Sequence, residues 1–302
     1  MRILNFSISP YVLPVLSTLF WGSNMVIGRA VMAEMPPMAL AFWRGIVGLL
    51  ILLPFAWRYM SAQQALIRQH WLILLVLGAL SVGGFNSFLY VGLQTTTATN
   101  AAILQSNMPI LIIILGYFWF RQRVTHFQFM GILISTLGVL VIICQGSWQV
   151  LTHFQFNQGD VWVLGAVLIW AVYSLLLQWK PMDLHWLGFM GVIVILGVLV
   201  MLPFYIWEFM YSPRTWSPNL PTISSIIYVG IFPLIVAYIC WNQAIFEIGA
   251  QKAGQFIHLI PVFGTVLSLI FLGEQLHYYH LIGIIFVVIG IYLALFWHKS
   301  VA

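Results

Sequence analysis

Polar and aromatic side chains recur at helical spacing inside the long apolar stretches of the chain. Gln251, Gln255 and His258 lie at positions i, i+4 and i+7, and Asn86 precedes Tyr90 by four residues. Residues at such spacings share one face of a helix, so these groups would point at one interior. For a single Asn or Gln, a bond between helices is an equal alternative. Together they predict a ligand-lined cavity formed by Trp21, Asn24, Asn86, Tyr90, Gln105, Trp170, Tyr173, Tyr238, Trp241, Asn242 and His258.

Two side chains within these stretches can carry charge. His258 lies in the middle of one, and an imidazole with an unperturbed pKa of about 6.5 can accept a coupling proton. A neutral hydrogen-bonding role is the alternative. Arg44 lies inside another stretch. It would attract an anion such as a carboxylate, or would instead extend towards the headgroups or bond helix carbonyls.

Two prolines predict breaks in the helices that carry these groups. Proline lacks an N–H, frees the carbonyl four residues earlier and kinks a helix. Pro109 would free the carbonyl of Gln105, and Pro261 that of Ile257. Broken helices near the middle of the membrane often bind substrates in transporters. A kink that serves packing alone is the alternative.

Acidic residues are absent from the middle of the apolar stretches. Glu34, Asp160, Glu208 and Glu274 all lie near ends. A permanent cation is therefore less expected as a ligand than a zwitterion or an anion, although aromatic cages can also hold cations. Glu274, His277 and His280 have the spacing of metal ligands but lie at a boundary, so we expect a polar cluster there. The sequence predicts no metal site and no cofactor.

Composition places the chain in lipid. Of 302 residues, 62% are apolar and 6% are charged, whereas a soluble domain carries roughly 25% charge. These values exclude a soluble globular domain and a disordered chain. The net charge of +5 comes from scattered basic residues, so nucleic acid is not an expected partner. Cys144 and Cys240 lie inside apolar stretches and are expected to be small buried hydrophobes.

An all-α membrane protein with ten transmembrane helices is the predicted fold, because a span needs roughly 20 apolar residues. The predicted spans are 11–33, 38–58, 71–93, 97–119, 127–145, 160–179, 186–208, 222–245, 250–272 and 278–297.

Lysine and arginine predict the orientation of the spans. With the N-terminus in the cytoplasm, eight basic residues lie at inner ends or loops, and Arg29 and Arg214 lie outside. This bias follows the positive-inside rule. We therefore expect both termini in the cytoplasm and a multi-pass protein of the plasma (inner) membrane. The N-terminal stretch lacks a cleavage site and is expected to remain as the first span.

The two halves of the chain resemble each other. Residue types recur at offsets of 149 and 152: Trp21 with Trp170, Leu53-Pro54-Phe55 with Leu202-Pro203-Phe204, Pro109 with Pro261, Gly131 with Gly283, and Gly138 with Gly290. Each half holds five predicted spans, and an odd number inverts the second copy in the membrane. The sequence thus predicts two inverted five-helix repeats, at residues 1–148 and 158–302. Such repeats are typical of transporters that alternate access around a central site.

The chain resembles the ten-span EamA branch of the drug/metabolite transporter superfamily. The similar segments are Leu19-Phe20-Trp21-Gly22-Ser23, Phe42-Trp43-Arg44, Tyr90-Val91-Gly92-Leu93, Thr97-Ala98-Thr99-Asn100-Ala101-Ala102, Pro109, Pro261, and Gly273-Glu274-Gln275-Leu276 followed by Gly283. The first copy reads Arg121-Gln122-Arg123-Val124 and lacks the signature glutamate. The resemblance implies export of small metabolites, often amino acids, or of drugs, driven by ion or substrate gradients.

A secondary transporter, an exporter of a small polar or aromatic metabolite such as an amino acid, is the predicted function. A multidrug or organic-cation exporter is the alternative within transport. A membrane-embedded enzyme is less favoured, because the chain lacks His-Glu-x-x-His and a pair of neighbouring aspartates. The chain also lacks a nucleotide-binding loop. The expected partners are a small-molecule substrate, the lipid bilayer and, as a candidate coupling ion, the proton; a monomer and a homodimer both stay open.

Overall fold

The computed structural model describes residues 9–31, 34–212, 216–271, 273 and 275–297. Those residues form helices and connecting loops, with no β-strand among them. Glu274, which belongs to the family-like signature, lies outside the described residues, as do Arg2, Arg214 and Lys299, which entered the prediction of orientation.

Nine helices in the described part of the chain are long and apolar enough to cross a membrane. A further helix, α1, covers Val12–Val31. The nine are α2 Pro37–Ala62, α3 Trp71–Gly92, α4 Ala98–Phe120, α5 His126–Ile143, α6 Gln158–Trp179, α7 Trp186–Tyr211, α8 Leu220–Ile248, α9 Ala250–Phe271 and α10 Tyr278–Phe296. Each overlaps one predicted span, and the short helices Gln64–Gln69 and Trp148–Thr152 lie in loops.

Polar caps mark where several helices begin. Asn157 accepts hydrogen bonds from the backbone at the start of α6, and the Asp160 carboxylate accepts the backbone N–H of Asn157 in return. Thr125 with Gln128 and Asn219 with Thr222 form the same reciprocal arrangement at α5 and α8. These caps satisfy N–H groups that have no partner within the helix. Hydrogen-bonding side chains thus fix where these three apolar helices begin.

Glycines let the helices approach closely. A Cβ added at Gly290 in α10 would collide with the main chain of Gly131 in α5, and one at Gly283 with that of Gly138. Small residues serve in this way at helix interfaces in membranes, where lipid supplies no hydrophobic drive for association.

A second glycine arrangement joins α2 with α8 and α3 with α7. Gly48 in α2 packs against Gly230 and Leu234 in α8. Gly197 in α7 packs against Gly78 and Val82 in α3.

Four helices depart from regular α-helical bonding in their interiors. In α3 the segment Ala79–Phe85 forms a π-helix, and in α8 the segment Gly230–Val236 does so around Pro233. In α4 regular bonding stops at Gln105, a turn follows at Ser106 and Asn107, and the helix resumes at Met108–Phe120. In α9 a 3₁₀ turn, Phe256–His258, precedes Leu259–Phe271. Such irregular turns are frequent at functional sites.

Candidate functional site

A cavity of about 70 Å³ lies where the four irregular helices meet α1, α2, α5 and α6. Seven of the eleven residues predicted to form a cavity line it: Trp21, Asn24, Asn86, Gln105, Trp170, Tyr238 and His258. Arg44 and Pro261, which were singled out separately, also line it. Both halves of the chain therefore contribute to one cavity.

Aromatic rings form one wall of this cavity. Trp21 and Trp170 meet edge to face with ring centroids 5.1 Å apart, and Trp170 contacts Tyr238 at 5.4 Å. The indole N–H of Trp21 donates to the carbonyl of Pro233, 3.1 Å away. Pro233 lies inside the π-helical turn of α8, so this turn fixes the orientation of Trp21. Rings held in this way offer flat apolar surface to a ligand.

Arg44 supplies the formal charge on the cavity wall. The side chain is 2% exposed, and its guanidinium donates to the Tyr90 hydroxyl at 3.1 Å. That is the hydrogen bond it makes among the described residues, and none of the residues lining the cavity is acidic. The arginine thus neither extends to the headgroups nor bonds a helix carbonyl.

Two amides on the wall have polar atoms that make no well-formed hydrogen bond to protein among the described residues. They are the Oδ1 acceptor of Asn24 and the Nδ2 donor of Asn86. Asn86 is 4% exposed. A buried polar atom without a partner costs free energy in the empty site, so these atoms are available to a bound polar molecule.

His258 joins three helices beside the cavity. Its Nε2 lies 3.0 Å from the Ser106 carbonyl at the break in α4, and its Nδ1 lies 2.7 Å from the Ser135 hydroxyl in α5. Ser135 Oγ also lies 3.0 Å from the Ile132 carbonyl. A carbonyl only accepts, so Nε2 carries a proton. The hydroxyl donates to Nδ1 when the ring is neutral, and rotates to the Ile132 carbonyl when Nδ1 is protonated.

Tyr90, Tyr173, Trp241 and Asn242, which were also predicted for the site, do not line this cavity. Tyr90 lies behind Arg44, and Tyr173 donates to Asn242 Oδ1 at 2.6 Å. Trp241 packs against Trp21 and Trp170, with ring centroids 5.2 and 5.9 Å apart, so it lies directly behind the aromatic wall. Tyr173 lies a turn beyond Trp170 in α6.

Asn242 lines a second cavity, of about 250 Å³, at the end of the molecule where α6 is connected to α7. Lys180 lies on its wall and donates to the Leu184 carbonyl at 2.8 Å. Burial lowers the pKa of Lys180, and the Asp183 carboxylate opposes that shift. Nearby, burial and the Lys180 charge lower the pKa of His185, whose Nδ1 accepts the Leu187 N–H at 3.3 Å and caps α7.

Pro109 is buried beside the break in α4 without lining the cavity.

Several lining or supporting residues were not predicted. Ser106 and Ser135, which hold His258, carry no signal in the sequence beyond being polar within apolar stretches. Pro233 is a visible signal, since it is a proline within a span. Phe85 contacts Trp170 at 4.9 Å, and an apolar residue of this kind cannot be distinguished from core by type.

Nothing in the described residues suggests a bound metal ion. No three His, Cys, Asp or Glu side chains in that part of the chain come close enough together to hold one. His280 instead caps α10, where its Nδ1 accepts the His277 N–H at 3.1 Å.

Comparisons with known proteins match nearly the whole chain. The model of the EamA-like transporter family matches residues 8–144 and again 157–296. The uncharacterized transporter YyaM of Bacillus subtilis is 27% identical over 93% of this chain and 92% of its own length. An uncharacterized transporter of Archaeoglobus fulgidus is 24% identical over 94% of this chain and 96% of its own. A crystal structure at 17% identity superposes with a TM-score of 0.77 and covers 95% of this chain and 96% of that one.

Proposed function

Because the chain belongs to the EamA-like transporter family, we propose that it is a secondary transporter that exports a small polar or aromatic metabolite such as an amino acid. The observation that carries this proposal is the cavity, which brings polar and aromatic side chains from both halves together. Its aromatic wall also suits the alternative cargo, an organic cation. The absence of acidic residues on that wall favours the metabolite.

The cavity lies on the axis that would relate two inverted repeats. Trp21 and Trp170 are repeat-equivalent at the offset of 149, and their rings touch. Ser106 and His258 are repeat-equivalent at the offset of 152, and they share a hydrogen bond. Two copies related by a two-fold axis meet at equivalent residues only where the axis passes between them. These contacts support a site at the repeat interface.

The glycine contacts support the same relation away from the axis. Gly131 packs on Gly290, and their repeat equivalents, Gly283 and Gly138, pack on each other. Gly48 packs on Gly230, and the equivalents Gly197 and Gly78 form the matching pair. Reciprocal pairs of this kind are expected of a two-fold interface. They favour repeats at 1–148 and 158–302, with α1 as a tenth span and both termini in the cytoplasm of a cell whose plasma membrane holds the protein.

Inverted repeats provide alternating access. If the two halves adopt slightly different conformations, exchanging those conformations closes one side of the cavity and opens the other. The irregular turns of α3, α4, α8 and α9 provide hinges beside the site. No ATP-binding loop is present in the sequence, so a gradient supplies the energy.

His258 is the proposed site of proton coupling. Its bonds to Ser106 and Ser135 allow both the neutral and the protonated ring after rotation of one hydroxyl. The other ionisable residues that line the cavity are Arg44 and Tyr238. A proton taken up at His258 therefore changes the charge of the site beside the substrate.

Uptake into proteoliposomes tests the proposal. A panel of labelled amino acids is offered to purified protein, with and without a pH gradient. We expect uptake of at least one aromatic or polar member above that of empty liposomes, and stronger uptake with the gradient. Failure of the whole panel, together with uptake of an organic cation such as tetraphenylphosphonium, would favour the alternative cargo.

A further inference from the structure

Arg44 is a buried charge whose surroundings leave most of its donors unused. A guanidinium has several N–H donors in a planar fork, and here it makes a hydrogen bond to the Tyr90 hydroxyl among the described residues. It is 2% exposed and lies on the cavity wall. A lone charge in such a place is costly and is retained where it serves a function.

The carboxylates of the described chain are engaged elsewhere. Asp160 is bonded to Thr96 and to the N–H of Asn157. Glu208 accepts the backbone N–H groups of Met38 and Ala39 at the start of α2. Glu34 accepts from Asn219, and Glu247 accepts from Gln243. Asp183 lies in the loop between α6 and α7. No carboxylate of the described residues therefore neutralises Arg44, and a bound ligand can do so.

Asn86 adds an independent observation. It is 4% exposed, it lines the same cavity, and its Nδ2 donor, which lies next to the Tyr238 hydroxyl, makes no well-formed hydrogen bond in the described residues. A guanidinium and an amide N–H₂ on one wall, with no acidic side chain beside them, form a site that is rich in donors. Such a site favours a group with negative charge and two accepting oxygens.

We infer that the transported molecule carries a carboxylate, which binds to the Arg44 guanidinium in the cavity with Asn86 as a second donor. This inference rests on the proposed function and specifies its substrate class. One fixed cation matches one negative charge, and the flat rings of Trp21 and Trp170 suit an apolar or aromatic remainder. The guanidinium fork would hold the carboxylate in two parallel hydrogen bonds, which a lysine ammonium would not reproduce.

The test compares four probes that share one aromatic skeleton. 3-Phenylpropanoate has the carboxylate alone, L-phenylalanine has the carboxylate and the ammonium, and phenylalaninamide and phenethylamine have no carboxylate. Binding to the purified full chain is measured by isothermal titration. We expect the two carboxylates to bind about tenfold or more tightly than the two amines, as a charge-assisted bidentate bond requires.

Variants assign the effect to Arg44. Arg44→Gln is expected to weaken 3-phenylpropanoate about tenfold or more and leave the amines unchanged, with Arg44→Lys between the two. The matched control is Arg68→Gln, since Arg68 is exposed on the short helix Gln64–Gln69. If Arg44→Gln does not fold, the comparison of the four probes on the wild-type protein still tests whether the site prefers a carboxylate.

Tighter or equal binding of the amines, no binding of any probe, or an Arg44→Gln variant with unchanged affinity for 3-phenylpropanoate would overturn the inference. Counterflow in proteoliposomes separates this failure from failure of the proposed function. Counterflow of phenethylamine without that of the carboxylates would leave transport standing and remove the carboxylate site. Carboxylate binding without any counterflow would support the carboxylate site and contradict the proposed transport.

Discussion

At the scale of single residues, His258 is the group that we propose to couple the site to a proton gradient. The ring bridges the break in α4 and the hydroxyl in α5, and it borders the cavity. Its place inside an apolar stretch was visible in the sequence, as were the aromatic and amide stripes. Ser135 was not, because a serine within a membrane helix is equally compatible with a bond to its own helix. The spacing of residues predicts which helix face a side chain occupies, but its hydrogen-bond partner on another helix is known only from the fold.

Removing the titrating group is expected to uncouple transport from pH. His258→Gln should abolish the pH dependence of uptake and leave substrate exchange intact, because glutamine keeps a hydrogen bond but takes no proton. Uptake and exchange are measured in the same proteoliposomes. Transport that stays dependent on the pH gradient would make His258 a structural or substrate-contacting residue.

The rotation of the Ser135 hydroxyl gives a related prediction. Ser135→Ala removes the group that accepts the second ring proton, so the midpoint of the pH dependence should move to lower pH. Ser174→Ala is the matched control, since Ser174 is a buried serine of α6 that does not line the cavity. An unchanged midpoint in Ser135→Ala would contradict the proposed rotation of the hydroxyl.

At the scale of helices, the spans were predictable and their irregularities were predictable only in part. Apolar length and short loops gave segments that overlap all nine candidate spans. The prolines at 109 and 261 pointed to the breaks in α4 and α9. The π-helical turn at Ala79–Phe85 contains no proline, so the proline signal does not reveal it. Tyr90 and Trp241, which helical spacing placed on interior faces, contact residues of the cavity wall without lining the cavity.

The glycine interface between α5 and α10 should be sensitive to a single methyl group. Gly290→Ala would press a Cβ against the main chain of Gly131 and Ser135, and overpacking of this kind typically costs about 1–3 kcal/mol. Gly264→Ala in α9 is the matched control, because an added Cβ there meets nothing within 4 Å. Thermal unfolding in detergent measures both, and equal midpoints would argue against close contact of α5 with α10.

The cap of α7 should weaken in acid. Burial and the Lys180 charge lower the pKa of His185, so the folded protein favours the neutral ring. Its stabilising contribution is present above the ordinary pKa of about 6.5 and is lost as pH falls through the lowered value. His185→Asn keeps an acceptor at the cap without titrating. The thermal midpoint of the wild type should therefore fall more between about pH 7.5 and about pH 5 than that of the variant. Parallel curves would contradict this.

At the scale of the whole molecule, the proposed orientation puts Gln155 outside and the helix Gln64–Gln69 inside. Both positions are exposed, and the native thiols Cys144 and Cys240 are buried. An impermeant maleimide applied to intact cells should label Gln155→Cys and leave Gln64→Cys unlabelled until the membrane is opened. The unsubstituted chain controls for background. The reverse pattern would invert the protein in the membrane.

The passage of substrate through the shared cavity is the central claim, and filling that cavity tests it most directly. Ala102 of α4 lines the cavity, so Ala102→Trp would occupy its space with a rigid ring. Counterflow of the best substrate is compared with that of Ala65→Trp, an equal change at an exposed site on the helix Gln64–Gln69. We predict that Ala102→Trp remains folded by size-exclusion chromatography and loses counterflow, while Ala65→Trp keeps the wild-type rate. Wild-type counterflow in a folded Ala102→Trp variant would contradict the account.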